Sequence, residues 1–222
     1  IIAGIAVAAK GINPNIKIVG VQTANIPSMQ ESMKNGEVTT AFKSTTIADG
    51  IAVKTPGDVT FEIINELVDE VVVVEEDEIA QGMLFLMENQ KVVAEGAGAV
   101  TTAALLSGKY VPKKDENVVC VISGGNVDVN TLYRVIGTAL TKEARRYSFN
   151  TVIQDKPGGL AELTKIISEY DANILSANLS RSSMGGALGS LTAEMVLETF
   201  NHDHIDKLKV AITEAGFEIV EI

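Results

Sequence analysis

Two hydrophobic rhythms meet in this chain, and the change between them constrains the fold more than any other feature. Up to about residue 143, apolar helical stretches alternate with short runs of β-branched residues. The spacing predicts a helix over 1–11, a strand over 16–21, and helices over 28–34 and 59–68. Val71-Val72-Val73-Val74 reads as a short strand of the kind buried on both faces of a parallel sheet. Glu75-Glu76-Asp77 then places acidic residues at the positive end of a helix over 78–89. Met83, Leu84, Leu86 and Met87 fall at helical spacing there and read as core. A small-residue helix over 97–107 and a buried strand over 117–122 follow. This alternation predicts an α/β layer fold with a largely parallel sheet.

Beyond that point the order becomes β-α-β-β-α-β, a split βαβ, ferredoxin-like arrangement. Tyr147, Phe149, Thr151 and Ile153 alternate as a first strand. Leu160, Leu163, Ile166, Ile167 and Tyr170 share one helical face, and 174–179 is a second strand. A Gly- and Ser-rich turn over 181–189, including Ser182-Ser183-Met184-Gly185-Gly186, leads to a third strand through Leu191, Ala193, Met195 and Leu197. Ile205, Leu208, Ala211 and Ile212 mark another helix, and 217–220 a closing strand. The chain therefore divides into domains at 1–143 and 144–222, with the boundary in the charged segment 141–146.

Of the 222 residues, 46% are hydrophobic, enough to build a core in each of two modest domains. A formal net charge of −11 repels phosphate backbones, and no basic run offsets it, so nucleic acid is not expected as a partner. No apolar stretch reaches the roughly 18 residues of a membrane span. The single cysteine, Cys120, cannot form an internal disulfide and fits a reducing cytoplasm. His202 and His204 flank Asp203 near a helix start without a third ligand, and read as a solvated turn.

The chain opens directly inside a small-residue helix, from Ile1 to Lys10, with no Ser, Thr, Asp or Asn before it as a cap. So apolar a helix is expected to be covered on several sides. The chain accordingly reads as a fragment.

Ser123-Gly124-Gly125-Asn126 sits between the predicted strand at 117–122 and a helix capped by Asp128. Ligands of open α/β sheets bind at the carboxyl ends of strands, and glycines admit close approach where a Cβ would not. With Thr46-Ile47-Ala48-Asp49-Gly50 and Glu95-Gly96-Ala97-Gly98-Ala99, in this order and spacing, the motif resembles the fold-type II pyridoxal-phosphate (PLP) enzymes. That fold is tryptophan synthase β-like, and the branch is that of the threonine ammonia-lyases and serine racemases. Glu66-Leu67-Val68-Asp69-Glu70 and Ala104-Leu105-Leu106-Ser107-Gly108-Lys109 are similar to the catabolic threonine dehydratases.

The resemblance implies that Ser123 shares a hydrogen bond with the pyridine nitrogen of pyridoxal 5′-phosphate, beside Gly124, Gly125 and Asn126. It implies that Gly50 lines the ring and that Glu95 lies near ring and substrate. A neutral hydroxyl partner leaves the ring a weaker electron sink than a carboxylate partner does, which favours prompt β-elimination. The implied reaction converts L-threonine, and L-serine, to 2-oxobutanoate or pyruvate with ammonia. The lysine that links the cofactor is expected upstream of Ile1, in a Ser-Phe-Lys context that does not occur here, and a tetraglycine phosphate loop just before Ile1. This polypeptide alone is thus expected to be inactive. Lys43 is read as a solvated loop lysine. Racemase-like relatives hold a divalent cation with acidic residues where Gln22 and Ser28 stand here, so no metal is expected.

The C-terminal half resembles an ACT domain, a small module that binds amino acids. The resemblance rests on Asp155-Lys156-Pro157-Gly158-Gly159-Leu160, with Ala172-Asn173-Ile174 opening the next strand. It implies an effector site at Asp155, Pro157, Gly158, Gly159, Leu160, Asn173 and Ile174, with Pro157 able to begin the helix. Isoleucine or valine are the effectors that pathway logic suggests, and the resemblance implies a homodimer or homotetramer. A second reading is a non-catalytic amino-acid sensor. A nucleotide-binding α/β protein is disfavoured, because no glycine fingerprint follows a first strand.

Overall fold

The computed structural model describes residues 1–42, 45–181 and 189–221. Lys43 and the turn residues at 182–186 lie outside the described residues. By contact the chain divides into two units, Ile1–Ala139 and Leu140–Ile222.

In the first unit, helix α1 (Ile2–Ile12) leads to strand β1 (Val19–Thr23), α2 (Ser28–Asn35) and a 3-10 turn (Asp49–Ile51). Helix α3 (Asp58–Leu67), β2 (Glu70–Val74), α4 (Glu76–Phe85), α5 (Gly96–Leu106) and α6 (Val129–Lys142) follow. β1 and β2 pair in parallel, from Val19 opposite Glu70 to Thr23 opposite Val74. Ala6, Ile18, Ile64 and Val68 form a buried cluster, with Ile2, Met29 and Met33 packed on it.

α5 is buried along most of its length because its residues are small. Its backbone lies so close to Gly82 of α4 that a Cβ there would stand 3.0 Å from the Ala99 carbonyl oxygen. Glu75 caps α4, and its N–H donates to Glu78 Oε2 at 2.8 Å, closing a capping box.

Several expectations need correction. Residues 117–122 form no strand, and Val118, Val119 and Val121 are exposed. A strand needs a neighbour's N–H and C=O groups, and the only sheet of this unit among the described residues is the β1–β2 pair. Ser123 thus follows a segment without strand pairing. In β2, Val72 and Val74 are buried but Val71 and Val73 only partly, so one face is covered well. The predicted 78–89 helix ends as α4 at Phe85 and widens into a π turn (Leu86–Gln90), which Lys91 closes in the left-handed region at φ 57°. α1 buries Ala6 but leaves Val7 51% exposed, so it is covered on one face.

The second unit is a four-stranded antiparallel sheet of order β4-β5-β3-β6 with two helices, the ferredoxin-like arrangement expected. Its elements are β3 (Arg146–Gln154), α7 (Gly159–Glu169), β4 (Asn173–Ser180), β5 (Ser190–Glu198), α8 (His202–Glu214) and β6 (Val220–Glu221). Alternation puts Tyr147, Phe149, Ile153, Leu191, Ala193, Met195 and Leu197 in one core with Leu163, Ile167, Leu208 and Ile212 of the helices. β6 is shorter than predicted.

Pro157 lies in the turn before α7; the helix starts at Gly159, after Gly158 at φ 91°. His204 is more than a solvated side chain. Its Nδ1 accepts from Phe200 N–H at 3.1 Å and its Nε2 lies 2.6 Å from Tyr170 O, so the ring joins the start of α8 to the end of α7.

Candidate cofactor site

Three segments far apart in sequence meet at the N-terminus of α5. Glu95 is the N-cap of that helix, and its N–H donates to Gly124 O at 3.1 Å. In return Asn126 N–H donates to Glu95 Oε2 at 2.9 Å. These two bonds clamp 124–126 against the helix start. They leave Oε1 turned toward Gly124 and Gly50; a Cβ on Gly50 would stand 3.6 Å from it. A Cβ at 124 would overlap the Glu95 carboxylate and force that side chain to move. Gly98 lets Gly124 O approach to 2.5 Å from where a Cβ would be.

The structure thus brings Gly50, Glu95, Gly124, Gly125 and Asn126 together, with Ser123 exposed at the edge of the same cluster. Asp128 caps α6 as predicted: Oδ1 accepts from Asn130 and Thr131 N–H, each at 3.0 Å. Hydrogen bonds from the Thr131 side chain and backbone hold the Asp128 carboxyl below the usual carboxylate range.

A pyridine ring needs a polar partner for its nitrogen, and the exposed Ser123 hydroxyl supplies one that both donates and accepts, next to a backbone at Gly124 against which the Glu95 carboxylate packs. The residues present fit pyridoxal phosphate.

Sequence reasoning missed the group that holds the Gly50 loop. Glu76 Oε2 accepts from Ile47 N–H at 2.7 Å, and Oε1 accepts from the Thr23 hydroxyl at 2.8 Å. The available signal was positional: a Thr ends β1 and a Glu opens the helix after β2, at the carboxyl ends of adjacent parallel strands.

Gln22 and Ser28 are engaged in hydrogen bonds. Gln22 Oε1 accepts from Gln30 N–H at 3.0 Å, and Ser28 Oγ donates to Val53 O at 2.5 Å. No group of three or more His, Cys, Asp or Glu side chains suited to a metal ion occurs among the described residues. No described helix is long and apolar enough to cross a membrane.

In the second unit, Asp155 forms a two-pronged bond with Arg181, Nε to Oδ2 at 2.7 Å and Nη2 to Oδ1 at 3.0 Å. That guanidinium holds the Asp155 carboxyl below its usual range. Pro157 and Gly158 are exposed and Gly159 is buried, while Leu160 and Ile174 pack on the core. Asn173 is exposed and donates to Glu198 Oε2 at 3.2 Å.

With this geometry in view, the chain belongs to the pyridoxal-phosphate dependent enzyme family, whose pattern matches residues 1–124. Among individual proteins, it is 45% identical to the L-threonine ammonia-lyase of Thermotoga maritima over 219 residues, 99% of this chain and 54% of that protein. It is 49% identical over 140 residues to the catabolic L-threonine dehydratase of Escherichia coli K12, covering 62% of this chain and 42% of that one. The processed form of threonine deaminase isoform 2 from Solanum lycopersicum superposes with a TM-score of 0.57 at 34% identity, over 62% of this chain and 40% of that one. The chain spans about half the length of the full-length relatives it matches, 54% of the Thermotoga enzyme.

Proposed function

We propose that the full-length protein is a PLP-dependent ammonia-lyase that converts L-threonine, and L-serine, to 2-oxobutanoate or pyruvate with ammonia. The observation that carries this is the meeting of Gly50, Glu95 and 123–126 at the start of α5, in a chain this similar to an L-threonine ammonia-lyase. When bound, the cofactor supplies the electron sink for charge that develops at the substrate α-carbon. Ser123 shares its hydroxyl hydrogen bond with the ring nitrogen and, being neutral, does not hold that nitrogen protonated as a carboxylate would. Gly50 and Gly124 let the Glu95 carboxylate lie close to both backbone segments. Glu95 fixes the 124–126 backbone through Asn126 and presents Oε1 at the same face. An upstream segment supplies the linking lysine and the phosphate loop.

In this reading residues 1–143 are the C-terminal part of the catalytic domain and 144–222 an ACT regulatory domain. Its effector, an amino acid such as isoleucine or valine, sits at Asp155, Pro157, Gly158, Gly159, Leu160, Asn173 and Ile174. The enzyme works in the cytoplasm as a homodimer or homotetramer. Regulation requires that the effector bind one arrangement of the protein more tightly than another.

The test is 2-oxo acid formation from L-threonine by the full-length protein and its Ser123→Ala variant. Loss of one hydrogen bond to a charged or polarised partner predicts roughly a 10- to 100-fold fall in kcat/KM, with the thermal midpoint unchanged. No 2-oxo acid from the unsubstituted protein overturns the assignment; equal turnover of the variant removes the role of Ser123.

A further inference from the structure

We infer that Glu76 is a positioning residue of the cofactor face, setting where Gly50 stands against Glu95; this rests on the lyase reading above. Gly50 belongs to the short 3-10 turn Asp49–Ile51, and the segment leading into it is gripped from two sides. On one side Ile47 C=O lies against Gly96 at the start of α5, where a Cβ would overlap it. On the other side Glu76 takes the Ile47 N–H at 2.7 Å.

The second carboxylate oxygen anchors that grip to the sheet. Glu76 Oε1 accepts from the hydroxyl of Thr23, a fully buried residue at the end of β1, at 2.8 Å. Thr23 Oγ1 in turn accepts from Thr46 Oγ1 and from Asn25 N–H, both at 3.2 Å. Thr46 Oγ1 also accepts from Ala48 N–H at 3.0 Å, and Asn25 Nδ2 donates to Thr45 O at 2.7 Å. Residues 45–48 are therefore tied to the ends of β1 and β2 through one carboxylate, two hydroxyls and the Asn25 side-chain amide. Gly50 follows two residues later.

Ile47 N–H donates to one oxygen of the Glu76 carboxylate and Thr23 O–H to the other. A glutamine can keep the Ile47 bond but reaches Thr23 only if that hydroxyl reverses, and both charge-assisted bonds become neutral ones. The loop then shifts while α4, held by its own capping box, stays in place.

The experiment uses the full-length protein stripped of cofactor and titrated with pyridoxal phosphate. Dissociation constants come from absorbance, and visible circular dichroism per bound cofactor reports the ring's surroundings. The inference predicts that Glu76→Gln weakens cofactor binding about tenfold, the order of one charge-assisted hydrogen bond, and changes the dichroism. The cofactor-free melting midpoint should move little. Thr46→Val, which cuts the same tie at a partly exposed position, should shift both signals in the same direction and covers the case in which Glu76→Gln does not fold. Cofactor affinity and dichroism unchanged in either folded variant, or changed only in step with a lowered melting midpoint, overturn the positioning role. If the unsubstituted protein takes up no pyridoxal phosphate, the lyase reading fails and the inference falls with it.

Discussion

At Gly124 the difference between glycine and alanine is the difference between a closed and an open clamp. A methyl group there overlaps the Glu95 carboxylate, so Gly124→Ala must push Glu95 aside or lift 124–126 off α5. Overpacking of this kind costs about 1–3 kcal/mol. The expected outcome is a lowered melting midpoint together with at least tenfold weaker cofactor binding; an unchanged dissociation constant would argue that the face lies elsewhere. Tyr147 offers a separate check on the second unit. Burial, and then the charge of Glu221, push its phenol up to about 12. Because the folded value lies above the unfolded value near 10, this contribution to stability is complete below pH 10 and is lost between about pH 10 and 12. Burial also raises the Tyr110 phenol, so titration of phenolate absorbance should show more than one delayed tyrosine, and loss of the latest step in Tyr147→Phe would identify it. Ser123, Glu95 and Gly50 could be singled out as candidates because their motifs are local and ordered, and the structure brings the three segments together. Glu76 was not, since its partners Thr23 and Ile47 stand 53 and 29 residues away and only the fold joins them.

Among the elements, most helices were readable from hydrophobic period, and the failures have two causes. Asp128 is the plainest success, accepting from Asn130 and Thr131 N–H where a capping residue was expected. Asp128→Ala should lower the melting midpoint, whereas Asp128→Asn, which can still accept but carries no charge, should fall between the alanine variant and the parent. Since the Asp128 carboxyl is held low, its contribution is present above the ordinary carboxylate range and fades as pH falls below it, so the gap between Asp128→Ala and parent should close in acid. A constant gap would show that the cap does not depend on charge. Apolar runs misled where burial depends on distant neighbours. Val118-Val119-Cys120-Val121 has strand composition, yet no described strand pairs with it. The π turn after Phe85 has no marker in the hydrophobic period, because Leu86 is buried in either helix type.

For the molecule as a whole, the division into two units follows from the change of rhythm that the sequence already displays, while the completeness of the cofactor site does not. The chain spans 54% of the length of the Thermotoga relative, and in the proposed reading the remaining half brings the linking lysine and phosphate loop to the face described here. The most direct measurement is a crystal structure of the full-length protein grown with pyridoxal phosphate. The account predicts the ring beside Gly50 and Gly124, with its nitrogen about 3 Å from Ser123 Oγ. A ring bound elsewhere, or one whose nitrogen faces a charged residue while Ser123 stands apart, would contradict it.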